Sequence, residues 1–214
     1  MEIIIPFLVA VLPAFTALTL VSRKDLKLWI ISLFGGGGWM IALLLRQPLL
    51  LILTQSNIQY IYVAYIASFL AGVFEESFRL LLLRASLRKN TSIRTPLALG
   101  LGWGLTEAFI VYLIPVFIAT NLIHYSWLEL MPGAIERNSA ILLHTSLSLI
   151  LSRDIKDIRL LLIAVVLHTL INSAAVTSMI ILSNVWFTEA LIALISLLTF
   201  ILAYALTLRL KNKN

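Results

Sequence analysis

Between residues 72 and 83 the sequence reads GVFEESFRLLLL, which sets Glu75, Glu76 and Arg79 in a stretch otherwise as apolar as the interior of a bilayer. Further along, Glu107, His144, His168 and Asn172 interrupt apolar runs in the same way. Carboxylates and imidazoles together can activate a water molecule by two routes. A carboxylate with a histidine deprotonates it directly, with further donors stabilising the oxyanion. Alternatively, histidines and a carboxylate can hold Zn²⁺, whose bound water becomes the nucleophile. Either route suits hydrolysis of a peptide bond. Other hydrolytic chemistries are poorly supported. Asp25, Asp154 and Asp157 are the only aspartates and fall between apolar runs, which argues against an aspartyl dyad. Neither Gly-x-Ser-x-Gly nor His-Glu-x-x-His occurs. The chain has no cysteine, which removes thiolate nucleophiles, disulfides and cysteine metal sites.

The elements that must carry these residues are membrane-spanning helices. Of 214 residues 61% are hydrophobic and only 12% charged, against roughly half apolar and a quarter charged in soluble domains. With about 20 apolar residues needed per span, the pattern predicts about seven spans, over 3–21, 27–45, 58–83, 96–120, 133–152, 159–182 and 185–208. The runs are too long, and too little alternating, for a transmembrane β-barrel. The expected fold is therefore all-α, a polytopic transmembrane helical bundle of the cell membrane. No linker or repeat divides it, so 1–214 reads as one domain with the site helices within 58–182. Met1-Glu2-Ile3 lacks the basic region of a cleaved secretory signal, so the first span is expected to stay.

Basic residues orient the bundle. Arg23, Lys24, Lys27, Arg84, Arg88, Lys89, Arg94, Arg153, Lys156, Arg159, Arg209, Lys211 and Lys213 fall on one side of a seven-span arrangement, with Arg46 and Arg137 on the other. By the positive-inside rule the N-terminus is outside and the C-terminus cytoplasmic. The net charge of +6 then reflects topology and contact with membrane lipids, with no nucleic-acid partner required.

Depth tests whether the polar residues can meet. At 1.5 Å rise per residue, Glu76, Glu107, His144 and His168 each lie roughly 14–20 Å from the basic residues flanking their spans. They therefore share one layer near the middle of the membrane. Asn172 follows His168 by one turn on the same face, and Arg79 stands in the same relation to Glu75, so the arginine can fold back onto that carboxylate and hold it ionised. Glu75 and Glu76 diverge by about 100°, which leaves at most one aimed straight at the histidines. Each feature has a plainer explanation: a self-neutralising Glu–Arg pair, an interhelical hydrogen bond from a lone histidine or asparagine, or a packing contact beside Gly100, Gly102 and Gly104 for Glu107. Their agreement in depth exceeds what packing requires, and ionisable groups inside a membrane are expensive enough to default to function.

Glu75-Glu76-Ser77-Phe78-Arg79, then His144, then His168-x-x-x-Asn172 resembles the CPBP (Abi, CAAX-type) superfamily of intramembrane proteases, and is nearest to its PrsW and YhfC relatives. GLGWGLTEA (100–108) and ERNSAILLHTSLSLIL (136–151) are similar to the glycine-rich glutamate helix and the Glu-Arg/His helix of YhfC. The resemblance implies an intramembrane endopeptidase acting on a membrane-anchored peptide or protein, using Zn²⁺ in a metal mechanism and no cofactor in a glutamate mechanism. It implies Glu75 as general base or metal-associated carboxylate with His144, Arg79 as the group fixing the charge and rotamer of Glu75, and His168 with Asn172 as oxyanion stabilisers, or His168 on zinc with His144. Glu76 and Glu107 complete the catalytic set. The seven-span arrangement also resembles the non-catalytic scaffold subunit of gamma-secretase, but such a scaffold lacks the glutamate pair. A proton-coupled transporter would also bury Glu and His, but the halves show no inverted repeat. The polar cavity is expected to open toward the cytoplasmic half, where the basic loops 84–94 and 153–159 flank its mouth and would favour an acidic segment cut near its cytoplasmic boundary.

Overall fold

The computed structural model describes residues 3–87 and 92–211; Met1 and Glu2, used above for the signal reading, and Arg88, Lys89 and Lys213, used for orientation, lie outside the described residues. The described chain is all-helical. Its seven helices are α1 (Ile4–Ser22), α2 (Leu26–Gln55), α3 (Tyr60–Leu87), α4 (Arg94–Thr120), α5 (Trp127–Ser152), α6 (Ile158–Leu182) and α7 (Val185–Lys211). Short connections make sequential neighbours antiparallel, so the start of α2 and the ends of α1, α3 and α5 share one end of the bundle. Arg94 Nε donates to Val21 O (2.7 Å) and Arg84 Nε to Ile155 O (2.7 Å) there. At the other end Ser178 Oγ donates to Thr188 Oγ1 (2.6 Å) and Tyr65 meets Thr177 (2.9 Å).

The helix limits follow from local chemistry. Asp25 caps α2 by accepting from Lys27 N, and Asp157 caps α6 by accepting from Arg159 N. Asp154 accepts from Lys156 N, so all three aspartates serve connections between helices. Ser126 and Glu129 form a capping box that starts α5 at Trp127, one and a half turns before the apolar run expected from 133. Span two, expected to stop at 45, continues as helix to Gln55 through Pro48. Hydropathy alone ended that span at Arg46, a charge that is neutralised inside the bundle.

Polarity is inverted relative to a soluble protein. Leu33, Ile52, Leu170 and Leu202 are exposed, while Glu75, Glu76, Arg79, His144 and His168 are buried. Five helices, α1, α2, α4, α6 and α7, are long and apolar enough to cross a membrane. The other two, α3 and α5, are 28 and 26 residues long and carry the buried carboxylates and arginines that lower their hydropathy. Together with those apolar surfaces, this identifies a membrane protein whose buried charges are concentrated on its less apolar helices.

Helix α5 lies at the centre, packed against α1, α3, α4, α6 and α7. Its hydroxyls turn back on its own carbonyls, Thr145 to Ile141 O (2.7 Å) and Ser146 to Leu142 O (2.6 Å), so small polar residues are buried without orphaned donors. Helix α4 is wedged between α2 and α5 by its glycines. A methyl at Gly102 would overlap the Ser32 backbone of α2, while one at Gly100 or Gly104 would meet the Thr145 or Ile141 backbone of α5. The alternate spacing thus serves two neighbours at once.

Candidate active site

The close approach of α4 brings Trp103 and Glu107 to the charged face of α3 and to His144 on α5. Trp103 is fully buried, and its Nε1 donates to Glu75 Oε2 at 3.1 Å. The other oxygen of that carboxylate, Oε1, accepts from Arg46 Nη1 of α2 at 2.8 Å. Glu75 is therefore held by a cation and an indole, from two helices.

Arg79 does not pair with Glu75, which corrects the expected i,i+4 contact. Its guanidinium takes Glu76 instead, through Nε to Oε2 (2.9 Å) and Nη2 to Oε1 (3.2 Å), a two-bond fork with both side chains fully buried. Nη1 donates to His144 O (3.0 Å) and Ser148 Oγ (3.2 Å), and Nη2 reaches His144 Nδ1 at 2.8 Å. The guanidinium carbon sits 4.2 Å from the Trp103 ring centroid, a cation–π contact. Arg46 fills the place that spacing assigned to Arg79.

Both glutamates of the pair approach the histidines, which corrects the expectation that only one could. Glu76 Oε1 receives His168 Nδ1 at 2.8 Å, while one oxygen of Glu75 lies within 4.8 Å of nitrogens on His144 and His168. The 100° divergence is real, but the histidines come from two helices, α5 and α6, and His168 stands within reach of both carboxylates. Their rings stand edge to face with centroids 5.4 Å apart.

Glu107 now has its partners. Oε2 is bonded to His144 Nε2, and Oε1 accepts from Arg137 Nη1 at 2.9 Å. Arg137 also pairs with its neighbour Glu136. Glu107 closes the straight part of α4, and the backbone then widens into a π turn, Ala108–Leu113, before resuming as α-helix at Ile114. Such π turns are frequent beside functional sites.

A cavity of about 110 Å³ joins these groups. Glu75, Glu107, His144, His168 and Asn172 all line it. Glu76 and Arg79 do not; they are packed behind the histidines. Asn172 is half-buried, and its side chain makes no hydrogen bond among the described residues. From the histidines the lining steps to Ala140 and Glu136 on α5, Ala175 on α6 and Glu189 on α7. Every one of these steps leads away from the end that carries Arg23, Arg94 and Arg153. The expected opening toward the basic loops is thereby corrected, because the Arg79 fork and Ser148 fill the space on that side.

Several residues of the site were not foreseen. Arg46 and Arg137 read as flanking charges because they interrupt apolar runs near their ends, yet both are paired with site carboxylates. The available signal was charge balance, since Arg79 alone faced Glu75, Glu76 and Glu107 in one layer. Trp103 gave no signal beyond its place among the glycines. Glu189 lies in the first turns of α7, where a charge at the end of an apolar run gives no signal of its own.

The donors present fit a metal ion in part. Glu75 and the two histidines satisfy the distance criterion for sharing an ion. His168 also has the support expected of a ligand, a ring N–H given to a carboxylate with the other nitrogen left over. His144 does not, since both of its ring nitrogens are engaged.

Residues 38–128 match the model of the YhfC intramembrane metalloprotease family. The resemblance to YhfC read from the motifs is thus borne out over this segment, which holds Arg46, Glu75, Glu76, Arg79, Trp103 and Glu107 and ends before His144, His168 and Asn172. A comparison with curated proteins gives no match.

Proposed function

We propose that this chain is a multi-pass intramembrane endopeptidase of the cell membrane that hydrolyses a peptide bond in a membrane-anchored substrate. The observation that carries the reading is the cavity itself: the carboxylates of Glu75, Glu107, Glu136 and Glu189, two imidazoles and Asn172 line one small polar space inside a bundle whose outer surface is apolar. The similarity of residues 38–128 to YhfC intramembrane metalloproteases supports the same class of activity.

Peptide hydrolysis needs a water, a base and donors for the developing oxyanion. Glu75 is the base, its carboxylate fixed in position by hydrogen bonds from Arg46 and Trp103. Asn172 offers the oxyanion donor beside His168. His144 links this space to Glu107, whose second oxygen is clamped by Arg137. A metal ion held by Glu75 and His168 would supply a bound water of lowered pKa and a Lewis acid for the carbonyl.

The direction of entry follows from charge. With Arg46 and Arg137 recognised as interior, the remaining described lysines and arginines outside the Arg79 cluster stand at one end of the bundle, which supports that end as cytoplasmic. The cavity then faces the extracytoplasmic half, and the substrate is cut in that half. Its segment must unwind within the protein, because amides left unpaired in hydrocarbon cost several kcal/mol each. Purified protein reconstituted in liposomes with tethered peptides tests the reading: wild type cleaves, Glu75→Gln does not while remaining folded, and mass spectrometry places the cut bond. A folded Glu75→Gln variant that cleaves at the wild-type rate defeats it.

A further inference from the structure

We infer that His168, and not His144, is the imidazole that takes a metal ion in this cavity, and that His144 is a positioning residue locked by Arg79 as its Nε2–H tautomer. The metal half rests on the hydrolytic reading above; the tautomer half stands without it.

The lock follows from counting hydrogens on Arg79. A guanidinium carries five N–H groups and can only donate. Nε gives its single hydrogen to Glu76 Oε2, and Nη1 gives its two to His144 O and Ser148 Oγ. Ser148 spends its own hydroxyl hydrogen on His144 O, so its oxygen is free to accept. Nη2 gives one hydrogen to Glu76 Oε1 and has one left, which points at His144 Nδ1 across 2.8 Å. That nitrogen must present a lone pair, since a hydrogen there would face another hydrogen at contact distance. The ring proton consequently sits on Nε2, where it is donated to the carboxylate of Glu107.

A metal ion needs a ring lone pair. His144 has given its Nδ1 pair to Arg79 and has a proton at Nε2. Shifting the proton to Nδ1 would require Arg79 to withdraw. Arg79 is held by every one of its donors, is fully buried, and is stacked on Trp103, so it has nowhere to withdraw to. His168 is the reverse case. Its Nδ1 faces Glu76 Oε1, an acceptor, which places the proton of the neutral ring on Nδ1 and leaves Nε2, on a side chain that lines the cavity, with no hydrogen-bond partner among the described residues. Both imidazoles give a ring proton to a carboxylate, but only His168 keeps its second nitrogen without a partner among the described residues, as a metal ligand requires.

The chain has three histidines, which makes the test tractable. ¹⁵N-histidine-labelled full-length protein in micelles, with His124→Gln, His144→Gln and His168→Gln used for assignment, reports the protonated nitrogen of each ring. The expected result is a proton on Nε2 of His144 and on Nδ1 of His168, with added Zn²⁺ moving only the His168 Nε2 signal. In calorimetric titration with Zn²⁺, His168→Gln should bind at least about 10-fold more weakly, on the scale that ligand-shell changes produce, while His144→Gln should stay within about threefold, well inside that range. A proton on His144 Nδ1, a zinc-induced shift at His144, or no zinc-induced shift at His168 overturns the inference. Peptide cleavage is measured separately: absence of cleavage alongside the expected spectra would count against the hydrolytic reading and leave the tautomer assignment in place.

Discussion

Glu75 Oε1 accepts a 2.8 Å hydrogen bond from Arg46 Nη1, joining α3 to α2 across the mouth of the cavity. In a low-dielectric interior, removing one partner of such a pair leaves a charge with no compensation, which costs about 3–5 kcal/mol, whereas removing both can be close to neutral. Arg46→Met is therefore expected to lower the melting temperature in detergent markedly. The double variant Arg46→Met with Glu75→Gln is expected to recover much of that loss while lacking activity. A double variant that melts below Arg46→Met would show that the pair is not what couples the two helices.

The second prediction concerns the wedge of α4. An added methyl at Gly102 meets Ser32 Cα at 2.7 Å with the backbone on both sides, so no side chain can give way. Gly102→Ala should destabilise by about 1–3 kcal/mol or more by overpacking and should also displace Trp103 and Glu107, lowering activity. Gly37 has nothing within 4 Å of the added atom, and Gly37→Ala should instead stabilise the helix by about 0.5–1 kcal/mol. Thermal melts of the two variants side by side decide it, and equal destabilisation would contradict the assignment of the close approach.

The helices and the polar layer were legible in the sequence because both follow from rules that act along a single helix. Apolar length marks a span, and rise per residue gives depth, so Glu76, Glu107, His144 and His168 could be placed in one layer before any contact was known. What could not be read was which residue faced which. Arg79 lies four residues from Glu75 and three from Glu76, both about one turn away, and the choice of Glu76 is made by His144 O, Ser148 and Trp103, which come from other helices. Arg46 illustrates the opposite error, since a charge near the end of an apolar run looks like the run's boundary until its partner 29 residues away is known. The π turn after Glu107 leaves no mark in AFIVYL that distinguishes it from regular helix.

Asn172 gives a third prediction. It lines the cavity, is half-buried, and spends its amide on no other described group, so its truncation removes a donor without orphaning a partner. Asn172→Ala should lower kcat by about 10²–10³ if its amide stabilises the oxyanion, with stability changed by no more than about 1 kcal/mol. Activity and melting temperature measured together separate the two effects. A wild-type kcat in the stable variant would remove Asn172 from the mechanism.

The last prediction concerns the side from which the cavity is reached. Starting at His144 and His168, its walls climb through Ala140, Ala175 and Glu189, away from the end bearing Arg23, Arg94 and Arg153, while Ser148 lies buried under the Arg79 fork on the other side. Because the natural chain has no cysteine, single cysteines can be introduced and labelled without background. Small cavity-facing alanines accept a thiol with little added volume, and a buried serine accepts one almost isosterically. Ala175→Cys and Ala140→Cys are expected to react with a small membrane-impermeant thiol reagent added at the end of the bundle opposite the Arg153–Arg159 connection. Ser148→Cys should resist the reagent from both sides, and Lys156→Cys should react only from the basic end, fixing which face of the vesicle that end occupies. Labelling of Ala175→Cys from the same side as Lys156→Cys would place the entrance at the basic end and return the substrate to the cytoplasmic half of the membrane.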